Sequence, residues 1–134
     1  MKYIIDTHIF IWILTEPSKL SKSILETIND ADEIIITSIS FWEISLKYAI
    51  GKLKLENIQP EDLPRLAKEC GISILEVGSD IMSTFHKLPK LSHKDQFDRL
   101  IVWTCISENT TLISHDTDFG DYKHFGLRLL NGTD

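Results

Sequence analysis

Short apolar runs rich in Ile and Val alternate along the chain with longer segments whose apolar residues recur at helical spacing. This alternation is typical of a parallel β-sheet covered by helices on both faces, so it predicts an α/β fold. The predicted strands cover residues 3–6, 33–37, 73–77, 111–114 and 127–130. The predicted helices cover residues 8–14, 21–29, 40–50, 60–70, 79–88 and 95–108.

Residues at the predicted helix ends support these boundaries. Ser40 can cap the start of one helix and Gly51 can end it, while Gly71 follows the next. Asp95 stands three residues before Asp98, as in an acidic capping box, so we expect it to be a helix cap first and a site residue second.

Length and composition predict one domain over residues 1–134. The chain is 43% hydrophobic and contains no repeat or long linker. Its two cysteines, Cys70 and Cys105, lack the spacing of a disulfide framework or a zinc site, which favours a reducing cytosol. Polar residues interrupt the apolar opening at 3–12, so we expect no signal peptide, no membrane span and a cytoplasmic protein.

Four acidic residues fall where such a sheet binds ligands, at the carboxyl ends of its strands. Asp6 ends the first predicted strand and Asp116 follows the fourth. Glu43 and Asp98 lie near the starts of helices at the same edge, each among apolar neighbours. A buried carboxylate needs partners or a raised pKa, which makes Asp6 the strongest candidate for a functional site.

Each of these residues also has a purely structural interpretation. Glu43 can pair with Lys47 one helical turn on, for about 0.2 to 0.5 kcal/mol. Asp98 can serve the helix dipole or pair with Arg99. The remaining candidates are then ordinary turn residues or exposed loop histidines: Asp116, Asp118, His93 and His115.

The expected convergence of the acids on one edge favours a metal site. Two carboxylates about 4 Å apart repel by about 4 kcal/mol at an effective dielectric constant of 20. Several of them in one crevice would therefore destabilise the fold unless a cation lay between them. Carboxylate and water ligands favour Mg²⁺ or Mn²⁺ over zinc. Such an ion suits phosphate-ester hydrolysis, because it neutralises phosphate oxygens and activates a water molecule as nucleophile.

Four stretches of the chain together resemble PIN-domain proteins, and among these the VapC-type toxins of prokaryotic toxin–antitoxin pairs. They are YIIDTHIFIW, SISFWEISLKYAIGKLKL, LSHKDQFDRLIVW and LISHDTDFGDY, in this order. The resemblance implies a three-layer α/β/α sandwich with a mostly parallel central sheet, which cleaves RNA with Mg²⁺ or Mn²⁺. Gln96 is a departure, because such relatives usually have proline there. Proline preorganises a helix start, so we expect a looser presentation of Asp95 and no disturbance of Asp98.

The resemblance also implies roles for individual residues. The acidic quartet that holds the ion and its attacking water is matched by Asp6, Glu43, Asp98 and Asp116. Thr7 matches the small hydroxyl residue beside the first acid, and Asp118 matches a less regular additional acid. The same resemblance implies a product that carries a 5′-phosphate.

The net charge of −6 would argue against a nucleic-acid partner if the charge were evenly spread. Acidic residues crowd at 26–33, however, and a basic stretch runs over 87–99. The residues predicted to contact RNA phosphates are Lys87, Lys90, Lys94 and Arg99. We expect their contribution to fall steeply with added salt.

Two other functions stay open. A haloacid-dehalogenase-like phosphatase also ends its first strand with a nucleophilic Asp and uses Mg²⁺, but its pattern has a second Asp where this chain has His8. A phospho-aspartate trapped at Asp6 would favour that enzyme. A noncatalytic PIN-like module would bind RNA or protein without metal-dependent cleavage, although the complete set of four acids argues against it.

The resemblance finally implies protein partners. A small cognate antitoxin is expected to lay a segment over the acidic crevice and to offer an Arg or Lys to the carboxylates. The chain itself is expected to form a homodimer. The apolar residues proposed for the antitoxin groove are Phe10, Ile13, Leu14, Trp42 and Tyr48, although core packing is the more common fate of any single one of them.

Overall fold

Five parallel strands form one central sheet in the computed structural model, which describes residues 1–91 and 94–132. The strands are β1 (Lys2–Ile5), β2 (Glu33–Thr37), β3 (Ser73–Leu75), β4 (Thr111–Ile113) and β5 (Leu129–Leu130). They lie in the order β3-β2-β1-β4-β5. The predicted parallel sheet is confirmed. The prediction for His93 concerns a residue outside the described ranges.

Helices connect the strands. The α-helices are α1 (Thr7–Thr15), α2 (Lys22–Asp30), α3 (Ser38–Ala49), α4 (Leu63–Glu69), α5 (Ser79–Thr84) and α6 (Gln96–Ser107). Short 3₁₀ segments cover Pro17–Lys19, Pro60–Asp62, Phe85–Lys87 and Thr117–Phe125. Within the described ranges, no helix has the length and apolar character needed to cross a bilayer.

Two hydrophobic cores lie on opposite faces of the sheet. Successive strand side chains point to opposite faces, so Ile4 belongs to one core and Ile5 to the other. Helix α6 contributes Ile101 and its neighbours to the core that contains Ile4. Helices α1, α2 and α4 cover the other face, where Ile9 and Ile24 are fully buried. The predicted three-layer α/β/α sandwich is therefore confirmed.

The strand order reverses direction at β1. The chain moves outward from β1 to β2 and β3 on one side and then returns to build β4 and β5 on the other. In an open parallel sheet such a reversal opens a crevice at the carboxyl ends of the two central strands. Asp6 follows β1 and Asp116 lies shortly after β4, so both stand at this crevice.

The predicted cap at Ser40 is wrong. Helix α3 begins at Ser38, directly after β2, and Thr37 is its N-cap residue. Ser40 is consequently in the first turn of the helix and fully buried. The ends predicted at Gly51 and Gly71 are confirmed, since each glycine has φ of +76°, in the left-handed region that favours glycine after a helix.

Among the residues proposed for the antitoxin groove, Phe10 packs in the core instead. Its side chain is fully buried and meets Phe41 edge-on, with the ring centroids 5.8 Å apart. Trp42 and Tyr48 are exposed as predicted, whereas Ile13 and Leu14 are half-buried. Phe10 therefore belongs to the core and contributes no surface to a groove.

Truncation of this ring tests the assignment. Phe10→Ala should lower the free energy of unfolding by roughly 3–5 kcal/mol, because it removes a buried ring and leaves a cavity. Met82→Ala, at a side chain that is 45% exposed, should change it by less than about 0.5 kcal/mol. Urea unfolding of both variants provides the measurement. Equal losses of unfolding free energy in the two variants would show that Phe10 is not part of the core.

Candidate active site

Asp6 is one of two almost completely buried acids in the crevice. It is 5% exposed and caps α1, where its Oδ1 accepts the Ile9 N–H at 2.9 Å. The Ser114 hydroxyl also donates to its carboxylate. Burial raises the pKa of Asp6 despite these two hydrogen bonds, which favour the charged form. The expected combination of partners and a raised pKa is therefore present at Asp6.

Glu43 is 2% exposed and has a partner at each oxygen. Its Oε1 accepts the Thr7 hydroxyl at 2.5 Å, and its Oε2 accepts the Lys47 ammonium one turn along α3. Thr7 has a single hydroxyl proton, so the Ser40 hydroxyl, at 2.9 Å, must donate to Thr7. A chain of hydroxyl donors thus fixes the position of Glu43.

Several acids of the crevice act on the pKa of Lys47. Burial lowers the pKa of its ammonium, but the hydrogen bond and charge of Glu43 and the charges of Asp95 and Asp98 together outweigh this effect. The pKa of Lys47 is raised as a result. The predicted pair between Glu43 and Lys47 is present, and it lies inside the acidic group.

Asp98 stands in the first turn of α6, where Asp95 is the N-cap residue. Oδ1 of Asp95 accepts the Asp98 N–H at 3.0 Å, which confirms the predicted cap. Burial raises the pKa of Asp98 to about 7. The negative charges of Asp95, Glu43 and Asp6 act in the same direction. Asp98 therefore shares one electrostatic environment with the other three acids.

The arrangement fits a hard divalent cation. One carboxylate oxygen from each of Glu43, Asp95 and Asp98 lies within 4.8 Å of the other two. Mg²⁺ takes one or two direct carboxylates and reaches further ones through its water ligands, which suits this spacing. The group contains oxygen ligands alone, so it favours Mg²⁺ or Mn²⁺ over softer metals.

Asp116 adjoins this group through a hydroxyl. Its backbone N–H donates to Ser114 Oγ at 3.0 Å, and Ser114 in turn binds Asp6. Its own carboxylate caps the following 3₁₀ segment, where Oδ1 accepts the Asp118 N–H at 2.9 Å. Asp118 is exposed. The structure thus brings Asp6, Glu43, Asp95 and Asp98 together, with Asp116 beside them and Asp118 at the surface.

The predicted phosphate contacts differ in their surroundings. Lys87, Lys90 and Lys94 are exposed. Arg99 is half-buried, donates to the Leu88 carbonyl at 3.2 Å and lies over the Phe85 ring, 4.9 Å from its centroid. These contacts tie Arg99 on α6 to the 3₁₀ segment Phe85–Lys87 and the residue after it, and its role toward phosphate stays a prediction.

His115 is not the exposed loop residue that the sequence suggested. It is half-buried, and its ring centroid lies 5.5 Å from that of Trp12. The sequence analysis did not predict that Ser114 and Ser40 support the acids through hydrogen bonds. Their proximity to the acids in sequence, one residue before "HD" and three before Glu43, was the available signal.

The fold and the crevice define a doubly wound α/β protein with a carboxylate site at its switch point. The sequence model of the PIN domain matches residues 3–124. The chain therefore belongs to the PIN domain family, as the four sequence stretches suggested.

Individual relatives agree with this assignment. The chain is similar to Ribonuclease VapC22 of Mycobacterium tuberculosis, with 26% identity over 121 residues, which cover 90% of this chain and 92% of that protein. The fold matches a chain of VapBC-1 from nontypeable Haemophilus influenzae, with a TM-score of 0.68, 20% identity and complete coverage of both chains. It also matches a chain of VapBC2 from Rickettsia felis bound to a promoter DNA fragment, with a TM-score of 0.67, 20% identity and coverage of 97% and 98%. The predicted resemblance to VapC-type proteins is confirmed.

The raised pKa of Asp98 predicts how the stability of the metal-free protein depends on pH. Between its ordinary pKa of 3.8 and about 7, the folded protein holds a proton on Asp98 that the unfolded chain has released. The stability that this bound proton contributes is therefore complete below pH 3.8 and is lost as the pH rises through about 7. The unfolding free energy of the wild type should fall relative to that of Asp98→Asn, whose amide cannot titrate.

Urea unfolding in EDTA from about pH 5 to about pH 8 measures this difference. The matched control is Asp30→Asn, an exposed acid on α2 whose curve should run parallel to that of the wild type. Parallel curves for Asp98→Asn as well would show that Asp98 titrates near its ordinary pKa.

Proposed function

We propose that this protein is a metal-dependent endoribonuclease, the toxin of a type II toxin–antitoxin pair. The observation that carries the proposal is the meeting of Asp6, Glu43, Asp95 and Asp98 at the switch point of a PIN-domain sheet. A relative that covers most of the chain is named a ribonuclease, which supports RNA as the substrate. A reducing cytoplasm is the compartment that we propose for it.

The proposed cofactor is Mg²⁺ or Mn²⁺, held by the acidic quartet Asp6, Glu43, Asp98 and Asp116 together with Asp95. When bound, the ion would neutralise phosphate oxygens and lower the pKa of the water that serves as nucleophile. Asp98 would lose its proton on metal binding, because a coordinating carboxylate must be ionised.

The protein's own residues supply orientation and charge in this reaction. The Ser114 hydroxyl holds the carboxylate of Asp6, while Thr7 and Ser40 hold that of Glu43. Water adds to phosphorus as the bond from phosphorus to the 3′ oxygen breaks, which leaves a 3′ hydroxyl and a 5′-phosphate. The attacking water loses a proton to bulk solvent or to a crevice carboxylate, and the departing 3′ oxygen takes up a proton from solvent.

Substitution of Asp6 tests the nuclease. Asp6→Asn should lower cleavage of a mixed RNA pool by at least about 100-fold, because the amide keeps the shape of the residue and removes the charge that the ion requires. EDTA should abolish cleavage by the wild type, and Mg²⁺ or Mn²⁺ should restore it.

The matched control is again Asp30→Asn, which makes the same charge change far from the crevice and should cleave like the wild type. Full activity of Asp6→Asn would remove Asp6 from the mechanism. RNA binding without any metal-dependent cleavage would favour a noncatalytic module, and a phospho-aspartate at Asp6 would favour the phosphatase.

A local basic surface would allow an acidic protein to bind RNA. The exposed residues Lys87, Lys90 and Lys94 are the candidates for it. For Lys90→Ala, each lost phosphate contact should reduce the slope of log affinity against log salt by about 0.7 on single-stranded RNA.

Binding can be measured in the Asp6→Asn background, which leaves the RNA intact. Lys22→Ala, at a side chain that is 86% exposed on α2, serves as control and should leave the slope unchanged. A slope that is already flat in the parent protein would contradict a basic RNA surface.

A cognate antitoxin and a homodimer complete the proposal. Solved structures that share this fold include VapBC complexes, which supports a protein partner. A cleft of about 730 Å³ between α1 and the segment 53–58 offers apolar side chains such as Trp12 and Leu14 to a peptide. The exposed side chains of Trp42 and Leu46 on α3 suit an interface with a second copy. Light scattering that gives a monomer would exclude the homodimer.

A further inference from the structure

Lys47 is a cation inside the acidic group that the proposed reaction does not use. Its ammonium donates to Glu43 Oε2, and its side chain is 31% exposed while Glu43 is 2% exposed. The charges of Asp95 and Asp98 act on the same ammonium. One end of the contact is therefore buried among acids, and the other reaches solvent.

The two contacts of Glu43 differ in how readily they can be released. Oε1 is held by Thr7, whose hydroxyl is buried and tied to Ser40. Oε2 is held by Lys47, whose charge sits on a flexible four-carbon chain. Each oxygen has a second lone pair, so a metal ion could bind Glu43 beside these partners. An ion that does so repels the neighbouring ammonium, however, and not the neutral hydroxyl. Lys47 can move into water without breaking the buried hydroxyl chain.

A cation is needed at this place even without metal. Glu43 would otherwise be a buried unpaired charge among acids that repel one another. Lys47 supplies one positive charge to the metal-free protein where the divalent ion would supply two. Two cations that neutralise the same carboxylate compete for it, so each weakens the binding of the other.

We propose that Lys47 is an internal counter-ion that competes with the divalent ion for Glu43 and thereby sets the metal concentration at which the centre fills. The inference rests on the metal centre of the proposed function. Lys47 acts through Glu43 and is a positioning residue. It holds the acids together when metal is absent and withdraws toward solvent when metal binds.

Titration of the metal-free full chain with Mn²⁺ tests this competition. Lys47→Met should bind Mn²⁺ roughly tenfold more tightly than the wild type, and it should melt at a lower temperature in EDTA. Lys47→Arg keeps the charge and should retain the weaker binding. The control is Lys52→Met, which removes an exposed positive charge just beyond the same helix and should change the Mn²⁺ affinity by less than about twofold.

A double substitution tests whether Lys47 changes the Mn²⁺ affinity through Glu43. In a Glu43→Gln background the ammonium loses its anchor, so Lys47→Met should leave the Mn²⁺ affinity nearly unchanged. Where Lys47→Met fails to fold, Lys47→Gln provides the same comparison with a neutral polar side chain. The Mn²⁺ concentration that gives half-maximal cleavage should fall together with the dissociation constant.

Two outcomes separate this inference from the proposed function. Unchanged or weaker Mn²⁺ binding by Lys47→Met would overturn the competition and leave the nuclease intact. A wild type that binds no Mn²⁺ would overturn the metal centre and the inference with it. Tighter binding in Lys47→Met and in its Glu43→Gln double variant alike would show that Lys47 acts without Glu43, which also overturns the proposal.

Discussion

Repulsion among carboxylates held out of water is the constraint around which the crevice is organised. Asp6 and Glu43 are almost completely buried, and Asp98 feels the charge of both. The fold offsets this cost with individual donors, which are the Ile9 amide, the Thr7 and Ser114 hydroxyls and the Lys47 ammonium. A divalent cation in the crevice would offset the repulsion that remains.

Structural and chemical roles coincide at the acids. Asp6, Asp95 and Asp116 each accept a backbone N–H at the start of a helical segment, through Oδ1 in all three cases. Capping therefore orients each carboxylate relative to a rigid element that the two cores hold in place. For Asp95 and Asp116, a capping role and a place at the acidic site are therefore compatible, because one side chain can serve both.

Much of the fold could be predicted because its cause is visible in the sequence. Alternating Ile residues build a sheet that is buried on both faces, and the glycines at 51 and 71 end helices for a conformational reason. Phe10 could not be assigned, because α1 is apolar on every side from Ile9 to Leu14 and periodicity then does not select a buried face. Ser40 was misassigned because β2 runs into α3 without a loop. Ser114 reaches Asp6 only because β1 pairs with β4, and a pairing between strands so far apart in sequence could not be predicted from local patterns.

The neighbours Glu43 and Trp42 give α3 two very different environments one residue apart. Trp42 is 54% exposed, and its indole meets the Phe97 ring edge-on, with centroids 4.8 Å apart. Phe97 directly precedes Asp98, so this ring pair joins the two helices that bring Glu43 and Asp98 together. Any change in the distance between those helices alters the polarity around the indole. The chain thus carries an intrinsic fluorophore at the contact between α3 and α6, beside its acidic crevice, and its emission can be read without a label.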